Sequence, residues 1–260
     1  MDNFSILLKK EFREVVRSWK ILWIPLVFAI LGMTDPLTMY YMKDILAAVG
    51  NLPEGFEMLM PELAPADVLQ ASISQFQLIG LLVVIAAFIG SISKERASGT
   101  ATLLYVRPIS FNAYFMSKFI VMGFVIISSA VAGFAASVYY TTILYDGFEV
   151  PTLLAAMATY SVWLLFVLAI ILLMSAAFNT VVAATGAFII VFVGQIADTV
   201  VGAFWTVSPW KLPVYGVELI RGNMDMGNYW WSMGITGILI IICVICGIFA
   251  MKKNASKAKI

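Results

Sequence analysis

The sequence predicts an all-α, polytopic membrane protein with six transmembrane helices, an N-terminal interfacial helix and a short cytoplasmic coupling helix. Of its 260 residues, 62% are hydrophobic and only 12% are charged, whereas a typical soluble domain is about 25% charged. Several apolar runs approach or exceed the ~20 residues that span a bilayer. These runs take up most of the chain, so we expect no separate soluble domain of the usual size.

Residues 1–20 are predicted to form an amphipathic helix of their own. Apolar and charged side chains recur at helical spacing on opposite sides, with Phe4, Leu8, Phe12, Val15 and Trp19 on the apolar stripe and Lys9, Lys10, Arg13, Glu14 and Arg17 on the charged face. We expect this helix to lie in the cytoplasmic interface, with its stripe in lipid and its basic face toward anionic headgroups. A simple charged flank that sets the topology would contain the same residues.

Residues 21–260 are predicted to be one transmembrane domain. Its six spans are expected at Ile21–Met42, Ser74–Ser93, Tyr114–Tyr140, Thr152–Ser175, Val181–Trp205 and Tyr229–Met251. The Asp35-Pro36 pair is expected to interrupt the first span. Small residues spaced four apart on the third span, Ser129, Gly133 and Ser137, predict a seam of close helix packing.

The distribution of basic residues predicts that both termini are cytoplasmic. With the N-terminus inside, only Lys43, Lys211 and Arg221 fall outside. The other thirteen of the sixteen basic residues fall inside: Lys9, Lys10, Arg13, Arg17, Lys20, Lys94, Arg96, Arg107, Lys118, Lys252, Lys253, Lys257 and Lys259. This asymmetry is what the positive-inside rule describes.

Several kinds of chemistry are not expected in this chain. It has no histidine, which removes the usual general base and the usual zinc ligand. It also lacks a Gly-x-x-x-x-Gly-Lys-Ser/Thr phosphate loop, so we expect no ATP site in this chain and no other cofactor or metal site. Cys243 and Cys246 form a C-x-x-C within an apolar run, where packing is a better explanation than redox chemistry. No basic cluster with interleaved aromatic residues indicates a nucleic-acid partner.

The strongest functional signal is the charged segment 94–110 between the second and third spans. Gly99 permits a sharp turn, and Ser98 or Thr100 is placed to cap a short helix that carries Leu103, Leu104 and Val106. Arg107-Pro108 is expected to end this helix, and Ser110 is placed to cap the third span.

This segment resembles the Lys-Glu-Arg-x-x-Gly-Thr … Leu-Leu … Arg-Pro-Ile-Ser stretch of type-2 ATP-binding cassette (ABC) exporter permeases. A weaker match is Ser208-Pro209-Trp210 followed by Leu219-Ile220-Arg221-Gly222, which is similar to the Ser-Pro-aromatic … Leu-Leu-x-Gly stretch of these permeases. The layout of the whole chain also fits this family.

The resemblance implies a membrane-spanning permease subunit of an ABC exporter in the cell membrane, expected to be a prokaryotic plasma membrane. Its partners would be a separate ABC ATPase subunit, which binds ATP-Mg, and a second permease copy or a paralogue. The residues implied in docking or supporting the ATPase are Glu95, Arg96, Gly99, Thr100, Leu103, Leu104 and Arg107. The alternative for this segment is a solvated connector that obeys the positive-inside rule.

Gln195 and Asp198 are further candidates, because they lie three residues apart on one face of the fifth span. An acid within a membrane usually faces a cavity or a partner, which suggests a role in a substrate pathway. Asp198 lies near the outer end, however, where it can also snorkel or cap a break in the helix. For the whole chain, the competing classes are an ATP-independent secondary transporter or channel, and a membrane immunity or interaction protein.

Cysteine labelling tests the predicted topology. Single cysteines at Ser98 and Ser256 are expected to react only from the cytoplasmic side, and those at Glu57 and Asn223 only from outside, because of the basic asymmetry. If a membrane-impermeant reagent labels the Ser98 position in intact cells, the predicted orientation is wrong.

Overall fold

The computed structural model describes residues 2–49, 63–99, 110–145, 147–202 and 204–257. All regular structure within these ranges is helical, and six helices are long and apolar enough to cross a membrane. The spans are Lys20–Tyr40, Pro65–Ala97, Phe111–Leu144, Val150–Ala177, Thr180–Val201 and Met226–Ala255. The predicted fold class of an all-α, polytopic membrane protein is therefore confirmed.

The first helix, α1 (Asp2–Arg17), is separate from the first span, as predicted. The chain turns sharply at Trp19, whose φ of 59° lies in the left-handed region. The side of α1 that packs on the bundle carries Leu7, Glu11 and Val15, all of which are buried. A buried acid thus lies at the centre of the packed face. Of the predicted apolar stripe, Val15 lies on this face, whereas Phe12 and Trp19 are exposed. The placement of the stripe in lipid stays a prediction.

Helix α2 (Lys20–Tyr40) forms the first span and is followed by α3 (Met42–Val49). The expectation that Asp35-Pro36 interrupts this span was wrong, since α2 runs through both Pro25 and Pro36. Tertiary packing of α2 against the third span outweighs the local preference of proline to break a helix.

The second span is a composite of several helical pieces. It consists of α4 (Pro65–Gln75), a π-helical turn (Phe76–Gly80), α5 (Leu81–Phe88) and α6 (Gly90–Ala97). Between α5 and α6 the regular hydrogen-bond pattern is interrupted at Ile89, which we call the break, although the backbone of Ile89 keeps helical φ and ψ. It begins at Pro65 instead of the predicted Ser74, because Val68 and Leu69 are fully buried and extend the packed surface outward.

Side chains from other spans bind the backbone groups around the break at Ile89. The Lys20 ammonium donates a hydrogen bond to the carbonyl of Ala87 at 2.8 Å. The hydroxyl oxygen of Ser175 accepts the N–H groups of Ile92 and Ser93, each at 3.1 Å. The first and fourth spans therefore hold the second span at its break, where backbone polar groups need partners.

The remaining helices are α7 (Phe111–Leu144), α8 (Val150–Ala177), α9 (Thr180–Val201), α10 (Leu212–Arg221) and α11 (Met226–Lys257). The fifth span ends at Val201, four residues before the predicted Trp205. A single 3₁₀ turn, Pro209–Lys211, then leads into α10, which packs against α8.

An aromatic cluster forms the centre of the bundle, among spans one to four. Phe76 lies 5.5 Å from Phe28, 5.9 Å from Phe134 and 6.2 Å from Tyr160, measured between ring centroids. Tyr160 in turn lies 5.3 Å from Trp163. All five side chains are essentially inaccessible to solvent, so this cluster joins the first four spans in the core.

Spans one and three make the closest helix contact. A Cβ atom added to Gly32 would lie 2.2 Å from the carbonyl oxygen of Gly133, a backbone atom that cannot move aside. The hydroxyl of Ser137 donates to that of Ser72 at 2.9 Å. The seam predicted along the third span is thus confirmed, with Gly32 of the first span as its partner.

Replacement of Gly32 by alanine tests this contact. Because the methyl group would overlap backbone, we expect Gly32→Ala to lower stability by about 1–3 kcal/mol through overpacking. The measurement is the thermal unfolding midpoint of the detergent-purified protein. Gly234→Ala is the matched control, since a Cβ there meets open space. Equal unfolding midpoints for the two variants would show that the first and third spans can move apart without a loss of stability.

Candidate coupling site at the root of the charged segment

Three elements meet around a buried lysine at the end of the bundle that carries both termini. Lys118, near the start of α7, has no solvent exposure. Its Nζ atom lies 2.9 Å from Glu11 Oε2 on α1 and 3.0 Å from Glu95 Oε1 on α6. A buried charge is costly without partners, so Lys118 requires that α1 and the end of the second span lie beside it.

A second cation and a tyrosine complete this group, which we call the ion cluster (Lys10, Glu11, Glu95, Tyr114 and Lys118). Lys10 Nζ lies 3.0 Å from Glu11 Oε1 and 2.8 Å from Glu95 Oε1. The Tyr114 hydroxyl donates to Glu95 Oε2. The Tyr114 ring also faces both ammonium groups, with centroid distances of 5.9 Å to Lys10 and 5.1 Å to Lys118. Two positive charges thus balance two negative charges.

The charge of Lys10 is stabilised by this arrangement. Burial alone lowers the pKa of Lys10, but attraction to Glu11 and Glu95 outweighs burial and raises the pKa above the ordinary value of 10.5. A raised lysine pKa contributes stability that is fully present below the ordinary value and is lost as the pH rises through the folded value. The lysine therefore stays charged throughout the neutral range.

Three carboxylates in this region, those of Glu11, Glu14 and Glu95, offer oxygen atoms within 4.8 Å of one another. Such a group can in principle hold a cation. Glu11 and Glu95, however, are already neutralised by Lys10 and Lys118 at hydrogen-bonding distance. The ion cluster therefore explains their proximity, and we assign no metal to it.

Arg96 contacts a different part of the bundle from its neighbour Glu95. Its guanidinium donates to the carbonyl of Ala176 at 2.7 Å and to that of Phe178, at the C-terminal end of α8. The Asn254 side chain of α11 also donates to Ala176, at 2.9 Å. These donors satisfy carbonyls that a helix end leaves free, and they join the ends of spans two, four and six.

Gly99 ends the described part of this segment. Its φ of +74° lies in the left-handed region, which confirms the turn predicted from the sequence. Four other predicted coupling residues, Thr100, Leu103, Leu104 and Arg107, lie outside the described residues, as does the predicted coupling helix. The role of all seven residues in docking stays a prediction.

Asp198 has several partners within its own chain at the opposite end of the bundle. Its Oδ1 accepts from Trp205 Nε1 at 2.8 Å and from Ser208 Oγ at 3.3 Å, and its Oδ2 lies 3.5 Å from Lys211 Nζ. These contacts attach the chain after the fifth span to α9. The side-chain amide oxygen of Gln195 is buried without a hydrogen-bond partner among the described residues. A pathway role for the two residues stays a prediction.

Sequence reasoning missed most of the ion cluster. Lys118 was used only as one of the basic residues that set the orientation in the membrane, and Glu11 and Tyr114 were not singled out. One signal was present: Lys118 is a lysine inside a predicted apolar span, and ionisable residues there are rare and usually paired. Its partners could not be read from the sequence, because Glu11 is 107 residues away along the chain.

Comparison with known proteins agrees with this fold. The sequence model of the ABC-2 family transporter proteins matches residues 5–211, so the chain belongs to this family of membrane transport components. It is also 33% identical over 184 residues to the uncharacterized transmembrane protein YxlG of Bacillus subtilis (strain 168), covering 71% of each chain. The chain is therefore a multi-pass membrane component of a transporter and is not itself catalytic.

Replacement of Lys118 tests the ion cluster. Lys118→Met keeps the length of the side chain but leaves Glu11 and Glu95 with Lys10 as their remaining cation. We expect a loss of about 3–5 kcal/mol, the usual effect of removing one partner of a buried ion pair. The unfolding midpoint in detergent measures this loss, with exposed Lys252→Met as the control. An unchanged midpoint would show that the cluster does not hold α1 in place.

Proposed function

We propose that this chain is the permease subunit of an ABC exporter. It forms the substrate pathway with a second copy of itself or a paralogue, and a separate ATPase subunit that binds ATP-Mg supplies the energy. Both termini and the charged segment 94–110 lie in the cytoplasm, and the protein resides in the plasma membrane of a prokaryote. Family membership supports the transport role, and the geometry below supports the coupling role.

The single observation that carries the proposal is that Glu95 and Arg96, neighbours in the sequence, bind to different parts of the bundle. These neighbours form the root of segment 94–110. Glu95 binds α1 and the third span through Lys10 and Lys118, whereas Arg96 binds the end of the fourth span through Ala176. Successive helical residues point about 100° apart, which is why one short helix reaches both sides.

This arrangement provides a physical route for coupling. A partner that displaces segment 94–110 pulls on α6, and α6 is bonded to α1 and α7 on one side and to α8 on the other. A displacement of α6 therefore acts on both sets of contacts at once and can change how the two packed parts sit relative to each other.

The main competing function is an ATP-independent secondary transporter. Proton- or sodium-coupled transport commonly uses chains of acidic groups within the membrane. The described spans contain four acids. Asp35 accepts from Gln75 at 2.8 Å, Asp67 pairs with Arg221, Glu95 belongs to the ion cluster, and Asp198 binds Trp205 and Lys211. These acids lie in separate local networks, which favours energy input from a partner subunit.

Affinity purification from native membranes tests the proposal directly. We expect the tagged full-length chain to retain an ATPase with a phosphate-binding loop, and the reconstituted complex to transport its substrate only with ATP and Mg²⁺. Transport by the chain alone, driven by an ion gradient, would overturn the proposal. Identification of the retained subunit by mass spectrometry separates these outcomes.

The turn at Gly99 offers a sharper test of coupling. At φ +74°, valine is strongly disfavoured, whereas asparagine tolerates the left-handed region. We expect Gly99→Val to reduce ATPase retention and transport at least tenfold, and Gly99→Asn to preserve both.

Gly222 provides the matched control for strain. It has nearly the same φ, +73°, but lies at the opposite end of the bundle, after α10. Gly222→Val should therefore leave ATPase retention normal even if it lowers stability. If Gly99→Val retains the ATPase and transports normally, segment 94–110 is only a connector.

A further inference from the structure

Asp35 differs from the other acids of the described spans in having no basic partner. The other three form ion pairs within the chain: Asp67 with Arg221, Glu95 with Lys10 and Lys118, and Asp198 with Lys211. Asp35 takes part in none of the ion pairs among the described residues, although it lies within the first span, five residues before α2 ends at Tyr40. A carboxylate inside a membrane is costly without a partner. This position therefore calls for a cation that the described residues do not supply.

The carboxylate of Asp35 is only half satisfied by hydrogen bonds. Its Oδ1 atom accepts from Gln75 Nε2 of the second span at 2.8 Å. Its Oδ2 atom is buried and has no hydrogen-bond partner among the described residues. The side chain as a whole is partly exposed, and the torsion that turns an aspartate carboxylate is soft. A small rotation therefore presents Oδ2 at the surface while Gln75 still holds the group in place.

Polar side chains accompany Asp35 on the surface of the first two spans. Thr34 and Thr38 of α2 and Ser74 of α4 are exposed, and Gln75 is partly exposed. Polar and ionisable side chains within a membrane usually face a cavity, a substrate path or another protein chain. We therefore do not expect lipid tails to cover this polar patch, which consists of Thr34, Asp35, Thr38, Ser74 and Gln75.

The polar patch borders an apolar surface on its side toward the termini. Ile30 lies one turn before Thr34 on α2, and Leu78 lies in the π-helical turn that follows Gln75. Both side chains are exposed, Ile30 by 50% and Leu78 by 59%. A ligand with one charged group and an apolar body can therefore contact both surfaces.

The end of the bundle beyond Asp35 also favours positive charge. Tyr40 lies edge-to-face against Tyr41 and Tyr145, with ring centroids 5.0 Å and 6.1 Å apart, and it is about 8 Å further along α2 than Asp35. Aromatic faces attract cations. In the predicted orientation the outer segments contain nine acids and three basic residues, so the potential at this end is negative.

We propose that Asp35 binds the charged group of an organic cation that this permease transports. The proposal rests on the transport function proposed above and gives it a substrate class. The cation contacts Oδ2 of Asp35, and the apolar part of the ligand lies against Ile30 and Leu78. A divalent metal ion is a poorer fit, because it needs several oxygen ligands and no second carboxylate among the described residues joins Asp35 in a metal-binding group.

Binding of tetraphenylphosphonium, an apolar organic cation, tests the proposal. The radiolabelled ion is titrated onto the purified full-length protein in an uncharged detergent, with protein-free micelles as the background. Asp35→Asn removes the charge but keeps an oxygen that can accept from Gln75, so we expect the fold to survive. Its affinity for the ion should fall at least about tenfold, the effect of removing one partner of a close charge pair.

Two further variants and a second probe make the result specific. Asp35→Glu keeps the charge and should keep most of the affinity. Asp225→Asn removes an exposed acid at the same end, where Asp225 accepts the N–H groups of Gly227 and Asn228. Asparagine caps a helix equally well, so this variant should bind normally. Tetraphenylborate has the same shape and the opposite charge, and its binding should not depend on Asp35.

Each contrary result has a definite meaning. The proposal fails if the unmodified protein shows no saturable binding of tetraphenylphosphonium, or if Asp35→Asn binds it with unchanged affinity. It also fails if Asp35→Asn dissociates a dimer of the permease while binding of the probe is unchanged, because the missing cation then belongs to a partner chain. Binding is measured on the permease alone, so failure to find an ATPase would overturn the proposed exporter function and leave this result standing.

Discussion

The fully buried ammonium of Lys118 is the constraint on which this end of the structure depends. Taking a charge out of water costs several kcal/mol, and this cost must be offset by close partners. The two carboxylates that neutralise Lys118 come from α1 and from the end of the second span. Burial of this lysine on the third span therefore requires both elements to be docked beside it. For this reason α1 is an integral part of the bundle and not only an amphipathic helix lying on a membrane surface.

The composite second span follows from the same need to satisfy polar groups in an apolar environment. A break at Ile89 leaves backbone groups that lipid cannot bind. Lys20 and Ser175, from spans on either side, supply the missing partners. Beyond the break, Glu95 and Arg96 again bind to opposite sides. Side chains of neighbouring elements thus hold the last two turns of this span. A movement of those elements is therefore expected to move these turns with them.

Features of the fold that depend on local sequence could be predicted, and features that depend on distant partners could not. Long apolar runs identified the six spans, small residues at intervals of four identified the seam at Gly133, and the glycine in a polar turn identified the left-handed residue at 99. The packing of Glu11 against the bundle was not predicted, because it depends on a lysine 107 residues away. The break at Ile89 precedes Gly90 and Ser91, a local signal that sequence reasoning did not use, whereas its partner Ser175 is 83 residues from Ile92 and could not be read locally. Pro36 was expected to interrupt a helix that packing keeps continuous.

The distribution of polar and apolar contacts indicates where this protein can change shape. The middle of the bundle is a close-packed cluster of Phe28, Phe76, Phe134, Tyr160 and Trp163, and packed interiors transmit strain without yielding. The end that carries the termini is held instead by ion pairs and hydrogen bonds around Glu95 and Arg96. Removing one partner of a buried ion pair is costly, so a rearrangement at this end requires that the charged groups exchange partners together. Unpacking the aromatic cluster would instead expose large apolar surfaces. A force applied at segment 94–110 would thus change the contacts at the root first and move the aromatic core as a unit.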